Sequence, residues 1–412
     1  MSRGGREFDV LLGNVPVGRL SLDAGGQAAF VFFDGYRARY PRPVLGQMFE
    51  DDLFGRYVGK SRLPVWFSNL LPEGPLRDRV QEDLGGRRKH EIFLFAGLGE
   101  DLPGAVQIVP AGDAVEGDAG AVYEAEAKEW AIDPTRIRFS LAGVQVKFSV
   151  LRGADGSFGL PPRGILGDWI AKLPHKGLPG VTVNEHAMMT WASLSGLDVP
   201  PVELISPDKI DGIESKRFIR DEPAFVIRRF DRAAGGQRVH IEDMAQVLGV
   251  YPGDKYDEHS HYRSIGKIVR AVAGLAGFDE FIRRLVFMIA SGNADMHHKN
   301  WSLRYPDGVH AQLAPSYDFV ATVVYSDSIS SDEIALKLSG TRRWERASLA
   351  SFMQLADESG VARDRTAQIV EQTVQAIVAS REEARARTHM STEAWDQIAV
   401  HWKRVPLLRD RA

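Results

Sequence analysis

The sequence contains no cysteine. That absence excludes disulfides and thiolate metal sites, and it fits a cytosolic enzyme. No run of 18 apolar residues occurs, so no transmembrane helix is expected. The first residues, MSRGGREFDVLLG, carry basic side chains but no apolar h-region, so no signal peptide is expected. Internal repeats and long low-complexity tracts are also missing. Strong charge of one sign is lacking too. Lys and Arg number 51 against 55 Asp and Glu, for a formal charge of -4. The chain as a whole is therefore not built to bind nucleic acid by charge, and any DNA binding would come from a local basic face or a basic partner.

What remains is ordinary for a globular chain: 44% hydrophobic and 26% charged residues. At roughly 100–200 residues per domain, 412 residues imply two or three domains or subdomains. Residues 110–121, PAGDAVEGDAGA, form the best linker candidate. Boundaries are placed at 1–112, 113–235 and 236–412.

Residues 6–35 read as short strands with Gly-rich turns, one at Gly13-Asn14. WFSNLLPEGPLRDRVQEDL, residues 66–84, is helix-like with a proline near its start, and HEIFLFAGLG has helical periodicity. RIRFSLAGVQVKFSVLRGADG reads as strand, Gly-containing turn, strand, and a further turn at Gly153–Gly156. DWIAKLP, PVELIS and PAFVIRRFD read as strands. NEHAMMTWASLSG reads as an amphipathic helix that begins after Thr182 and closes at Gly196. From about residue 240 the pattern turns helical, through IEDMAQVLG, HYRSIGKIVRAVAGLAG and FDEFIRRLVFMIASG to helices over 363–389 and 391–404.

The densest chemistry lies at the end of a buried helical run, in SGNADMHHKNWSLRY, residues 291–305. Asp295 stands five residues before Asn300, with Lys299 between them. Phosphoryl transfer needs a carboxylate to receive a hydroxyl proton and an oxygen ligand for magnesium, and protein kinases use this spacing in the catalytic loop. Lys299 could neutralise charge developing on the transferred phosphate. A second acidic ligand follows in LAPSYDFVAT, at Asp318. The competing reading is a plain polar connection. Adjacent His297 and His298 do not share a helix face and have no HxxxH partner, which argues against zinc. His259 and His261 read as solvated loop residues.

A nucleotide cradle is sought upstream. SLAGVQVKFS offers one glycine in a strand-turn-strand setting, and its backbone N–H groups over Ser140–Gln145 could face phosphate oxygens. Lys172 sits on an apolar strand, where a cation costs free energy unless paired or bound to an anion. Glu185, read as opening the next helix, is the candidate partner; the alternative is an acid favoured by the helix dipole. Arg228–Phe230 stands where a hinge would meet an adenine edge, or is an exposed edge strand.

Taken together, FSNLLPEG, SLAGVQVK, IAKLP, NEHAMMTWA, RRFDR with HIEDMAQVLG, DMHHKN and LAPSYD resemble the HipA family of serine/threonine kinases, the toxin half of HipBA toxin–antitoxin pairs. The matching segments run in the family's order over roughly residues 66–318. The resemblance implies an α+β, two-lobed protein-kinase-like fold, with a mixed N-terminal lobe, a helical C-terminal lobe and ATP in the cleft between them. It implies that Ala142, Gly143, Val144, Gln145, Val146 and Lys147 line the ATP phosphates, that Lys172 binds ATP beside Glu185, and that Arg228, Arg229 and Phe230 face adenine. Asp295 would be the catalytic base, assisted by Lys299. His297, His298, Lys299 and Asn300 would contact ATP and metal, with Tyr317 and Asp318 completing the site and Asn300 and Asp318 holding Mg²⁺. Ser140 matches an inhibitory autophosphorylation serine, whose phosphate would eject the ATP loop. Expected partners are a HipB-like helix-turn-helix antitoxin, DNA only through that antitoxin, and a translation component such as an aminoacyl-tRNA synthetase. A cytoplasmic location and no membrane contact are expected.

Two departures from the family pattern stand out. The hinge reads Arg-Arg-Phe-Asp where an acidic residue often precedes the arginine, and Met296 replaces a usual glycine. Methionine is tolerable there only if the backbone avoids positive φ. Two other functions stay in view: a small-molecule kinase, which shares the acid-to-Asn loop, and a non-catalytic co-repressor bound to an antitoxin.

Overall fold

The computed structural model describes residues 6–73, 90–98, 102–111, 147–162, 165–175, 177–212, 222–257, 259–325 and 333–411. The chain forms two compact units: Met1–Asp168 with Asp231–Pro252 and Arg304–Val309, and Trp169–Phe230 with Gly253–Leu303 and His310–Ala412.

In the first unit, β1 (Arg6–Leu12), β2 (Val15–Leu22), β3 (Ala28–Phe32), β4 (Tyr57–Gly59) and β5 (Val106–Pro110) form a five-stranded antiparallel sheet ordered β4-β3-β2-β1-β5. The Gly13-Asn14 turn joins β1 and β2, and Gly13 takes φ 59°, the left-handed backbone that a tight two-residue hairpin needs. Alternation does the rest. Phe8, Val10 and Leu12 of β1 point inward to Leu20, Phe30, Phe49, Trp66 and Phe67. Each such burial is worth roughly 1.5–3 kcal/mol. FSNLL continues a single helical turn at Val65–Ser68, and HEIFLFAGL forms two consecutive helical turns over Glu91–Leu94 and Phe95–Leu98. The rest of the helix expected within 66–84 lies largely outside the described residues.

The returning segments are bound into this unit by Glu242, in β12 (His240–Asp243), a strand where the sequence suggested the start of a helix. Its fully buried carboxylate accepts from Gln47 N (3.0 Å), Trp66 Nε1 (3.1 Å) and Tyr305 Oη (2.5 Å). Burial pushes it up to about 7 against the pull of these donors. The hairpin of β6 (Lys147–Arg152) and β7 (Phe158–Gly159) closes through the expected Gly153–Gly156 turn.

In the second unit, β8 (Trp169–Lys172) and β9 (Val202–Ile205) flank β11 (Ala224–Arg228), each antiparallel to it; a two-residue strand β10 (Ile210–Asp211) lies between β9 and β11 in sequence. The helical part comprises α1 (Val181–Leu194), α2 (Tyr262–Val272), α3 (Gly274–Ser291), α4 (Leu349–Glu358), α5 (Arg363–Arg387) and α6 (Thr392–Arg404). Strands β13 (Ser302–Tyr305), β14 (Gln312–Leu313), β15 (Glu333–Leu338) and β16 (Thr341–Arg343) fall among these helices, although the pattern beyond residue 240 predicts helix. Buried Trp191 of α1 packs against Phe287 of α3 and against Trp395 and Trp402 of α6, with centroids 5.3, 5.3 and 6.2 Å away. Helix α3 is almost wholly buried from Phe278 on, and this rigid rod carries the candidate site at its C-terminal end. Among the described residues, no helix is long and apolar enough to cross a membrane.

Candidate active site

Gly292 ends α3 at φ 67°, the left-handed cap that glycine adopts at little cost. The loop beyond is held at nearly every residue. Asn293 N donates to Met288 O (3.0 Å), and Asn293 Oδ1 accepts from Asp295 N (2.9 Å). Ala294 N donates to Thr322 Oγ1 (2.7 Å), which itself donates to Gly292 O (2.9 Å). The main-chain oxygen of Asp295 accepts from His297 N (2.8 Å) and from Asn300 Nδ2 (2.7 Å). Asp295 is exposed while Met296 through Asn300 are buried. A rigid loop thus presents one carboxylate outward.

Met296 avoids positive φ, its side chain is buried, and its carbonyl accepts from Tyr262 Oη (3.1 Å). The substitution for glycine is therefore accommodated. Asn300 spends its amide N–H on the loop, and among the described residues its side-chain oxygen accepts no hydrogen bond. His297 is pushed down to about 3, first by burial and then by Lys255 and Lys299, so it is neutral. Its Nδ1 is buried without a hydrogen-bond partner among the described residues.

Lys172, at the end of β8, is buried. Its ammonium binds Glu185 Oε1 at 2.6 Å and also binds Asp318. Burial alone would depress it, but Asp318 and Glu185 outweigh that and hold it above the usual lysine range. Glu185 does not open its helix as read from the sequence: α1 begins at Val181, which puts Glu185 in the second turn. The dipole explanation therefore fails, and the ion pair is the physical reason for a buried acid there. Asp318 has φ 57°, one of two non-glycine residues in that region among those described. Its neighbours hold it there. Asn184 of α1 brackets Ala321, accepting its N–H (2.8 Å) and donating to its oxygen (3.1 Å), while Asn293 Nδ2 reaches Asp318 O (3.4 Å).

The hinge segment is no edge strand, since β11 is paired on both sides. Arg228 is exposed with its N–H on Pro201 O (2.9 Å), whereas Arg229 is buried. Phe230 packs on Tyr317 at 5.5 Å, and Tyr317 Oη donates to Lys299 O (2.8 Å). The second unit thus brings together Lys172, Glu185, Phe230, Asp295, His297, Asn300, Tyr317 and Asp318. Ser140 and Ala142–Val146 lie outside the described residues; Lys147 opens β6 in the first unit.

Three contributors escaped the sequence reading: Asn184, Asn293 and Tyr256. Tyr256 Oη donates to Asp295 Oδ1. Asn184 is the residue before Glu185 on an apolar helix, a signal that could have been read. Tyr256, in an acidic His-containing stretch, carried none.

The HipA-like C-terminal domain family matches residues 139–381, and the HipA N-terminal domain family matches residues 8–109. A kinase candidate named Y4dM, from Sinorhizobium fredii, is 38% identical over 414 residues, covering 98% of each chain. The serine/threonine-protein kinase toxin HipA of Shewanella oneidensis is 26% identical over 352 residues, 78% of this chain and 76% of that one. The solved complex of Shewanella oneidensis HipA with HipB and operator DNA includes a chain that this fold matches at TM-score 0.73 and 21% identity, covering 98% and 99% of the two chains.

Proposed function

The chain belongs to the HipA family, and we propose that it is an ATP-dependent serine/threonine protein kinase serving as the toxin of a toxin–antitoxin pair. The observation that carries the reading is one exposed carboxylate, Asp295, on a loop braced by Asn300 and Asn293, in the same unit as a buried lysine held by two acids. Asp295 accepts the proton of the substrate hydroxyl. Lys172, kept protonated by Glu185, meets phosphate oxygens, and Lys299 offsets charge as the phosphoryl group moves. His297 gives the nucleotide a buried nitrogen that has no other partner among the described residues. Phe230, beside Tyr317, supplies an apolar surface for adenine, with Arg228 and Arg229 at the hinge.

The donors present suit magnesium. Magnesium takes oxygen ligands, keeps waters, and needs only one or two carboxylates beside substrate phosphates. Asn300 has a free side-chain oxygen among the described residues, and Asp318 is a carboxylate held against a cation. These two residues would hold Mg²⁺, which would supply charge neutralisation at the phosphate oxygens. Asp318 is preset for a cation even before nucleotide arrives, because Lys172 fixes its oxygen.

The partner we propose is a HipB-like helix-turn-helix antitoxin, through which the chain reaches DNA; the related Shewanella HipA is solved with HipB and operator DNA. The substrate we propose is a translation component such as an aminoacyl-tRNA synthetase, along with the chain's own Ser140. Purified protein with Mg-ATP and a panel of aminoacyl-tRNA synthetases tests the reading. Phosphate on a serine or threonine of one of them, absent with Asp295→Asn although that variant still binds ATP, is the expected result. Phosphate on a metabolite and on no protein would contradict it.

A further inference from the structure

We infer that Tyr256 is a positioning residue for the catalytic carboxylate, a role that rests on the reading of Asp295 as the base. Asp295 is exposed, so contacts from outside its loop bear on how its carboxylate is oriented. Tyr256 makes such a contact, since its hydroxyl donates to Asp295 Oδ1. The hydrogen bond restrains the carboxylate's rotation and so biases where the other oxygen faces. A base must be aimed before it can take a proton in the transition state, so rotational freedom at this carboxylate slows the chemical step without affecting nucleotide binding.

Three observations show that Tyr256 is itself held and not a passing surface contact. Arg342 Nη2 donates to Tyr256 O at 2.6 Å and also to Ala335 O, pinning the turn to β15. His298 Nδ1 lies 3.1 Å from Lys255 O, joining the same turn to the catalytic loop one residue earlier. The Tyr256 ring stands edge-on to His297, with centroids 4.9 Å apart at 74°. The turn Lys255-Tyr256 therefore grips His297 and His298 with its backbone and ring while its hydroxyl reaches Asp295. Asp295 itself stays exposed, so the grip does not bury the base.

The ring and the hydroxyl separate cleanly by substitution. Tyr256→Phe keeps the ring against His297 and removes only the donor; Tyr256→Ala removes both. The probe is release of ADP from Mg-ATP by the full chain, freed of phosphate by a phosphatase that is then removed, with wild type, Asp295→Asn and both Tyr256 variants run together. Loss of one hydrogen bond to a charged group predicts about a tenfold fall in kcat for Tyr256→Phe, with KM for ATP and the thermal midpoint unchanged. Tyr256→Phe equal to wild type, with only Tyr256→Ala impaired, would reduce the residue to ring packing and overturn the inference. A raised KM at constant kcat would also overturn it, because Tyr256 would then act in binding. A raised kcat would do so too, because the contact would then obstruct the base. If wild type releases no ADP, or Asp295→Asn releases it at the wild-type rate, the kinase reading itself falls and this inference with it.

Discussion

Single residues decide this site, and several of them were legible. Lys172 on an apolar strand demanded a partner, and Glu185 is that partner. What spacing could not show is that Asp318 shares the same ammonium, or that it does so from a left-handed backbone. The turn after Asp318 is braced from α1, where Asn184, next to Glu185, holds the backbone of Ala321. Removing the cation should be costly. Lys172→Met would leave two acids without their charge partner and should lower stability by about 3 kcal/mol, with loss of ATP binding; urea unfolding and calorimetric titration check both parts. The backbone at Asp318 can be tested separately. Asp318→Ala and Asp318→Gly lose the same carboxylate, but only glycine adopts φ 57° freely. The glycine variant should therefore be the more stable by about 1 kcal/mol, measured as a difference in unfolding free energy.

At the scale of elements, the strands of the first sheet and the long helices follow from periodicity, because each buries one continuous apolar face. The failures have a common cause. HIED is extended because Glu242 must reach Gln47, Trp66 and Tyr305, partners far away in sequence that no local pattern announces. Strands β13 to β16 are short and lie between helices, so their pairing depends on tertiary context. The helical packing itself is specified by large side chains. Trp191→Ala would remove contacts to Phe287, Trp395 and Trp402, together with an N–H donated to Ile377 O at 3.1 Å, and should cost about 3–5 kcal/mol in urea unfolding.

Helices α3 and α6 are also joined by a titrating group. His401 of α6 reaches Ile289 O of α3 at 2.9 Å, and burial pushes its pKa down to about 4. The unfolded chain binds this proton near pH 6.5 and the native chain does not until near pH 4. The native state therefore keeps this contribution above about pH 6.5 and loses it as pH falls towards about 4, where the loss levels off. His401→Gln has no such proton to take up. Its unfolding free energy should converge on that of wild type by on the order of 3 kcal/mol between about pH 7 and about pH 4.

At the scale of the whole molecule, the order of motifs along the chain was the most informative feature. FSNLLPEG, IAKLP, NEHAMMTWA, DMHHKN and LAPSYD are each weak alone. Their sequence in one chain pointed to the family that the domain matches and the relatives bear out. If the proposed antitoxin pairing holds, coexpression with the product of an adjacent helix-turn-helix gene is expected to yield one complex on gel filtration at micromolar concentration. Separate elution would contradict the antitoxin proposal but not the kinase reading.

The central claim is that Asp295 drives phosphoryl transfer from ATP to a hydroxyl. Peptide mass spectrometry of wild type and Asp295→Asn, before and after incubation with Mg-ATP, tests it most directly. The account predicts phosphate on Ser140 in wild type, gained during incubation or already present from expression, and none in the variant. Phosphate at the same level in Asp295→Asn, or wild type that carries none before or after incubation, would contradict it.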